Sequence, residues 1–376
     1  MADVGQVNLF DPIRLRALSL ANRIVVSPMC QYSAHDGCAT DWHLVHWGQL
    51  LMSGAGLFTI EATAVTAGGR ITPGCLGLYD DATEDALTRM LARARALCPP
   101  VPVAMQLAHA GRKGSSRVPW EGGQLSMAHE GGWQPVAPSA IPHAAHEPPP
   151  AALDVEGLAR IREAFVASAR RARRAGIDAL QLHMAHGYLL HEFLSPIANH
   201  RDDAYGGTFA ARVRFPLEVF DAVRAAWPED RPLGVRLSCT DWVDGGLDVQ
   251  QTVEIARMLK ARGCDFIDAS SGGVSRAQQI PLAPGYQVAF AREIRRATGV
   301  PTVAVGLITT PAQAQAIVAA GDADLVAMAR AFLWNPRWAW HAAAMLGATI
   351  VPPPQYSRSA PREVASVFRG VNVGQR

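Results

Sequence analysis

Lysine is almost missing from this chain: Lys113 and Lys260 are the only two among 35 basic residues, and the others are arginines. Lysine-based covalent chemistry therefore has two candidates to draw on. Charge of one sign is also lacking, since 35 Lys+Arg against 33 Asp+Glu leave only +2 over 376 residues. A nucleic-acid partner would find no basic excess to answer. No run of about 18 uncharged apolar residues occurs, so no membrane span is expected. The opening MADVGQVNLFDP has an early acid and no apolar core, so no secretory signal is expected either. The six cysteines include no C-x-x-C pair and no zinc-like spacing. They read as reduced thiols of a cytoplasmic protein, most of them packing residues. No G-x-S-x-G is found, which removes the usual acyl-transfer elbow.

What is present is core material. Hydrophobic residues make up 49% and charged residues 18%, so whole-chain disorder is excluded. Short β-branched runs recur at 24–27, 57–65, 101–107, 179–183, 233–237, 266–269, 302–305 and 324–327. Several are largely apolar instead of alternating, as strands buried on both faces should be. Amphipathic stretches at 155–175, 212–227, 249–261, 289–298 and 311–320 alternate with them. Gly176, Gly263 and Gly321 follow as left-handed caps. Eight strands alternating with helices predict an α/β fold, a (β/α)8 TIM barrel. A doubly wound open sheet is the competing reading, weakened by the absence of G-x-G-x-x-G after the first strand. Residues 9–20 look like a hairpin placed to plug the barrel's bottom. Residues 109–150 form a long loop after the third strand, where barrels build their active sites. The expected division is a barrel over 1–346 and a C-terminal tail over 347–376.

The fourth strand ends in His183-Met184-Ala185-His186-Gly187-Tyr188. Two imidazole N–H donors there can grip one substrate oxygen, and the phenol is a candidate proton donor. A metal site from His183, His186 and His191 is the rival reading, and locally satisfied core histidines are the structural one. Ser27-Pro28-Met29-Cys30-Gln31-Tyr32 follows the first strand, with Cys30 a contact residue more readily than a nucleophile. The amide of Gln106 suits the edge of a heterocycle. Arg236, inside the fifth strand, calls for an anion: a ligand, or Asp241 or Asp268. Gly306 and Ala329-Arg330 end the seventh and eighth strands, the usual phosphate site of a barrel. Lys113 and Lys260 lie off the strands, which disfavours a Schiff-base aldolase.

Together with Gln106-Leu107-Ala108-His109-Ala110-Gly111-Arg112-Lys113, with Ala185-His186-Gly187-Tyr188 running on to Ser195-Pro196, and with Asn199-His200-Arg201, Tyr205-Gly206-Gly207, Ser270-Ser271-Gly272-Gly273 and Pro284-Gly285-Tyr286-Gln287, these segments resemble the Old Yellow Enzyme family. The resemblance is to its bacterial subgroup typified by YqjM and xenobiotic reductase A, and spans nearly the whole chain. It implies an FMN-dependent ene-reductase with non-covalent FMN, reduced by NADPH or NADH. By resemblance, Ser27, Pro28, Met29, Cys30 and Ala62 line the flavin, and the Cys30 thiol tunes its potential. Gln106 would meet the pyrimidine edge and Arg236 the charge at N1/O2, while Gly306, Ala329 and Arg330 hold the phosphate. His183 and His186, with Tyr32 helping, would bind the substrate's carbonyl oxygen. The implied ping-pong mechanism reduces the activated C=C bond of α,β-unsaturated carbonyl compounds, with nitro compounds a further class. Hydride comes from flavin N5 and a proton from Tyr188. No metal is implied. A homodimer or homotetramer is, with Arg358 reaching the neighbouring active site. Three departures stand out: Met184 between the histidines, expected to narrow the pocket; Ala329 where glycine is usual; and a chain that runs on to Arg376 beyond Arg358.

Overall fold

Each apolar run must bury two faces, and a closed parallel barrel wrapped in helices is the arrangement that does so. In the computed structural model, which describes residues 7–370, the runs become β1 (Ile24–Val26), β2 (Leu57–Ala64), β3 (Val103–Ala108), β4 (Ala179–Met184), β5 (Leu233–Ser238), β6 (Ile267–Ser270), β7 (Thr302–Ala304) and β8 (Leu325–Met328). All eight pair in parallel, and β8 returns to β1 through Val326↔Ile24, Ala327↔Val25 and Met328↔Val26. That closure is what an open sheet lacks. The fold is a (β/α)8 barrel.

The helices are α1 (Asp41–Leu51), α2 (Asp81–Leu97), α3 (Val155–Arg174), α4 (Leu189–Leu194), α5 (Phe209–Ala226), α6 (Val249–Ala261), α7 (Val288–Thr298), α8 (Pro311–Ala319), α9 (Arg330–Trp334) and α10 (Trp338–Leu346). Helix α3 shows why they form. Asp154 caps its start by accepting from the Gly157 N–H at 2.6 Å. Glu156 stands in the first turn and Arg171, Arg173 and Arg174 in the last, matching the helix dipole. Leu158, Ile161, Phe165 and Ala169 make its buried stripe. No described helix is long and apolar enough to cross a membrane.

The hairpin of Ile13–Leu15 and Leu18–Leu20 covers the barrel's lower end, as the sequence predicted. Its Leu15 and Leu20 cluster with Val25, Leu57, Ala104, Ala179, Val303 and Leu325, at or near the starts of six strands. The long loop at 109–150 is ordered by short helical turns and by a parallel pair, Val136–Ala137 with Ala151–Ala152. Trp133 anchors it, donating from Nε1 to the Gly68 carbonyl at 2.9 Å under the guanidinium of Arg70. After Gly347 the tail folds back on α10, where Ile350 bridges to Phe368 and both cluster with Ala343 and Val367. Residues 1–6 and 371–376, the outer ends of the expected 1–346 barrel and 347–376 tail, lie outside the described residues.

Candidate active site

Strand alternation decides what faces the barrel interior. Along β4, Leu180, Leu182 and Met184 belong to the apolar shell shared with the helices, which leaves Gln181 and His183 on the other face. Met184 therefore does not narrow the mouth, contrary to expectation. Beyond β4 the chain turns sharply, with His186 at φ 59° and Gly187 at φ 72°, and Tyr188 caps α4. This turn gathers three rings. His183 lies 5.1 Å from His186 and 4.9 Å from Tyr188, edge to face in both cases.

The two histidine rings are held differently. His186 Nε2 is 2.7 Å from Ser270 Oγ, and its backbone N–H donates to Ser238 Oγ at 2.9 Å. His183 Nδ1 is buried without a hydrogen-bond partner. Burial, then the nearby Arg236 guanidinium, holds both imidazoles well below their ordinary pKa. They are neutral at pH 7 and each carries one N–H. Burial also pushes the Tyr188 phenol well up, so it keeps its proton until a base or a developing anion takes it.

Arg236 stands in register with His183 on β4 and with Asp268 on β6. Of the two acids the sequence offered, Asp268 is the partner, its Oδ2 standing 3.3 Å from Arg236 Nε. The contact makes no hydrogen bond, so Arg236 Nε remains unsatisfied although the residue is buried. Asp268 Oδ2 also receives Gln181 Nε2 at 3.4 Å, and Gln181 Oε1 receives Gln106 Nε2 at 2.7 Å. One polar chain thus joins four strands beneath the mouth. Asp241 instead pairs with His191, Oδ1 to Nε2 at 2.9 Å, both fully buried. His191 is consequently not grouped with His183 and His186, and no cluster of three metal-ligating side chains occurs among the described residues.

The turn after β1 supplies the opposite wall. The Ser27 N–H donates to the Met328 carbonyl at 3.0 Å, and Ser27 Oγ is buried without a partner. Pro28 and Ser27 border a small void inside the barrel, and Met29 is buried in the main core. The Cys30 thiol is pushed up by its hydrogen bond to Cys75 and by burial. Cys75 also meets the Thr72 N–H at 3.3 Å. Tyr32, at φ 51°, sets its ring edge against Trp120 at 5.8 Å. Ala62 follows a bulge in β2 and lines a crevice with Cys75 and Tyr188.

Above β7 and β8 opens a cleft of about 200 Å³, bordered by Arg236, Ser270, Gly306, Leu307, Ala329 and Arg330. Gly306 is required there, because at φ 113° a Cβ would lie 2.7 Å from Gln287 Nε2. Ala329 has φ −105°, outside the left-handed region that favours glycine. Arg358 lies exposed in the tail, beyond the turn Pro354–Tyr356.

Sequence reasoning passed over Lys113, Gln181 and Cys75. Lys113 Nζ donates to the carbonyls of His186 at 2.9 Å and Gly273 at 3.2 Å and lies 5.0 Å from the centre of the Tyr188 ring. Its rarity was a signal, but its place on a loop hid the role.

The mouth therefore offers an unsatisfied guanidinium, a buried hydroxyl, an amide edge and a glycine-lined cleft with a cation. That donor set fits a flat polar heterocycle carrying a phosphate, and FMN has both parts. A family model described as the NADH:flavin oxidoreductase / NADH oxidase family matches residues 8–347. The NADPH dehydrogenase of Geobacillus thermodenitrificans is 43% identical over 352 residues, covering 93% of this chain and 98% of its own. An NADH:flavin oxidoreductase of Gibberella zeae is 42% identical over 350 residues, covering 88% and 84%. Among solved structures, morphinone reductase is similar with a TM-score of 0.76 at 27% identity, covering 99% of this chain and 96% of its own. Its complex with tetrahydroNAD gives a TM-score of 0.75 at 28% identity, covering 92% and 93%. The chain belongs to the NADH:flavin oxidoreductase / NADH oxidase family, the Old Yellow Enzymes, and is an NAD(P)H-dependent flavin oxidoreductase that uses FMN.

Proposed function

We propose that this enzyme is an ene-reductase, acting on the activated C=C bond of α,β-unsaturated carbonyl compounds and, as a further class, nitro compounds. The observation that carries the reading is the ring cluster of His183, His186 and Tyr188, two neutral imidazoles beside one protonated phenol. FMN, when bound, supplies the two-electron transfer from NAD(P)H to substrate. The protein does the rest. Two imidazole N–H groups hold the substrate's oxygen as charge grows on it, each such donor being worth about 10²–10³ in rate. Tyr188 gives its proton to the carbon α to that oxygen. Tyr32 borders the same mouth. Nicotinamide and alkene use this mouth in turn, a ping-pong sequence that needs no separate dinucleotide fold.

Within this reading Ser27, Pro28, Met29, Cys30 and Ala62 line the cofactor, and Cys30 tunes it. Gln106 meets its pyrimidine edge, Arg236 its N1/O2 side, and Gly306, Ala329 and Arg330 its phosphate. The assembly is a homodimer or homotetramer of a cytoplasmic protein. The tail over 347–376 carries Arg358 toward a neighbouring copy's mouth, while 1–346 forms the barrel. The test is direct: the purified protein loaded with FMN should bleach with NADPH without air and regain its colour on adding cyclohexenone, yielding cyclohexanone. Bleaching without recovery would remove the ene-reductase reading. The phosphate assignment has its own test. Gly306→Val drives a side chain into Gln287 and should weaken FMN binding at least about tenfold in a fluorescence titration of the apoprotein, a bound phosphate contact being worth that much.

A further inference from the structure

Lys113 is one of two lysines in the chain, and it lies half-buried against the candidate proton donor. It closes the short turn Gly111–Lys113, just past the end of β3. This turn is fixed to its surroundings independently of the lysine. The Arg112 N–H donates to Glu192 Oε1 on α4 at 2.8 Å, and Arg112 Nη2 donates to the Val274 carbonyl, beyond β6, at 2.5 Å. The lysine ammonium then reaches two carbonyls at once, those of His186 and Gly273, at 2.9 and 3.2 Å. Both residues have left-handed backbone, φ 59° and 93°. The same ammonium is 5.0 Å from the centre of the Tyr188 ring, within reach of a cation–π interaction.

We propose that Lys113 is a positioning residue for proton delivery: its ammonium fixes the turn from His186 to Tyr188 and keeps a positive charge against the phenol. The proposal rests on the reading of Tyr188 as the proton donor. A phenol giving up its proton becomes an anion, and a desolvated cation beside it favours that charge. An ammonium that already donates to two carbonyls is engaged as a charge, not as a nucleophile.

Burial lowers the Lys113 pKa to about 8, although Glu192 acts against the fall. The charge is therefore present below about pH 8 and lost above it, and with it the help given to the phenol. The groups facing the pair are few. Glu192 lies on α4, raised by burial to about 8. Arg112 is in the same turn, and Arg276 comes from the loop after β6. His143, on the long loop, is held neutral by burial and by these cations. Cys30, Tyr32 and Cys75 also act on the phenol and disfavour its anion, and Arg236 favours it.

The experiment uses the FMN-loaded enzyme, reduced without air and mixed rapidly with cyclohexenone or with ferricyanide. Ferricyanide takes electrons only and needs no proton from Tyr188. For the unmodified enzyme, the cyclohexenone rate should fall about tenfold as pH rises through about 8, while the ferricyanide rate stays level. Lys113→Arg, which keeps its charge, should lose that fall. Lys113→Met should be about tenfold slow toward cyclohexenone at every pH, with ferricyanide unaffected. A fall that persists in Lys113→Arg would assign it to Glu192 and overturn the proposal. Equal losses toward both acceptors would leave Lys113 a merely structural clamp and overturn it too. If Tyr188→Phe fails to slow cyclohexenone reduction, the proton-donor reading falls and takes this proposal with it. Should Tyr188→Phe be slow while Lys113→Met is not, only this proposal falls.

Discussion

Tyr188→Phe is expected to slow alkene reduction by about 10²–10⁴, the range removed with a positioned general acid, and to leave reduction of the flavin by NADPH nearly intact. The substitution deletes one hydroxyl and little else. The ring keeps its place against His183 at 4.9 Å, and the capping of α4 involves no Tyr188 side-chain hydrogen bond. The hydroxyl is held protonated by burial, so at pH 7 it is an acid with nothing to gain by ionising early. Only the half-reaction that consumes a proton at carbon depends on it. Stopped-flow records of the two half-reactions, taken separately, check the claim. Comparable losses in both would mean that the phenol serves binding or the fold, and would move the acid to another group.

The barrel was legible because it depends on local pattern. Strands such as 302–305 and 324–327 read as short, largely apolar runs, and every residue of β7 and β8 is buried. Arg236 was legible for the opposite reason, as a charge where the pattern allows none. The rings at the end of β4 were legible because strand end and turn are adjacent in sequence. Lys113 was not, since its partners His186 and Gly273 lie 73 and 160 residues away. Nothing in Gly111-Arg112-Lys113 says where that turn will dock. Gln181 looked like any polar residue in a strand until Gln106 and Asp268 were seen on either side of it. Met184 failed as a pocket residue for a simple reason of period two: a neighbour of an inward-facing residue on a strand faces outward. Local rules place a side chain on a face, and only the closed barrel says what shares that face.

Arg236→Met should produce two separable losses. The first is stability. Asp268 is 1% exposed, its Oδ1 already has no partner, and its strongest attraction is to Arg236. Removing one member of a buried ion pair costs about 3–5 kcal/mol when the other stays ionised. Burial already raises the Asp268 pKa, and without the guanidinium it rises further. The folded carboxyl then holds its proton above the pH at which the unfolded one loses it. The deficit is accordingly smallest at low pH and grows as pH rises toward the folded-state pKa. Denaturant unfolding of the apoprotein at several pH values measures it. Arg236→Met/Asp268→Asn removes both charges and should recover most of the stability. The second loss should survive that repair. If the guanidinium serves the N1/O2 side of the flavin, a charged donor to the reduced, anionic form is missing in both variants. The ratio of reduced to oxidised FMN at a fixed potential should then drop about ten- to a hundredfold, the worth of a hydrogen bond to a charged group. Equilibration against a reference dye reads that ratio directly. A double variant that regains both stability and potential would make Arg236 only the counter-ion of Asp268, and the buried cation would owe nothing to the cofactor.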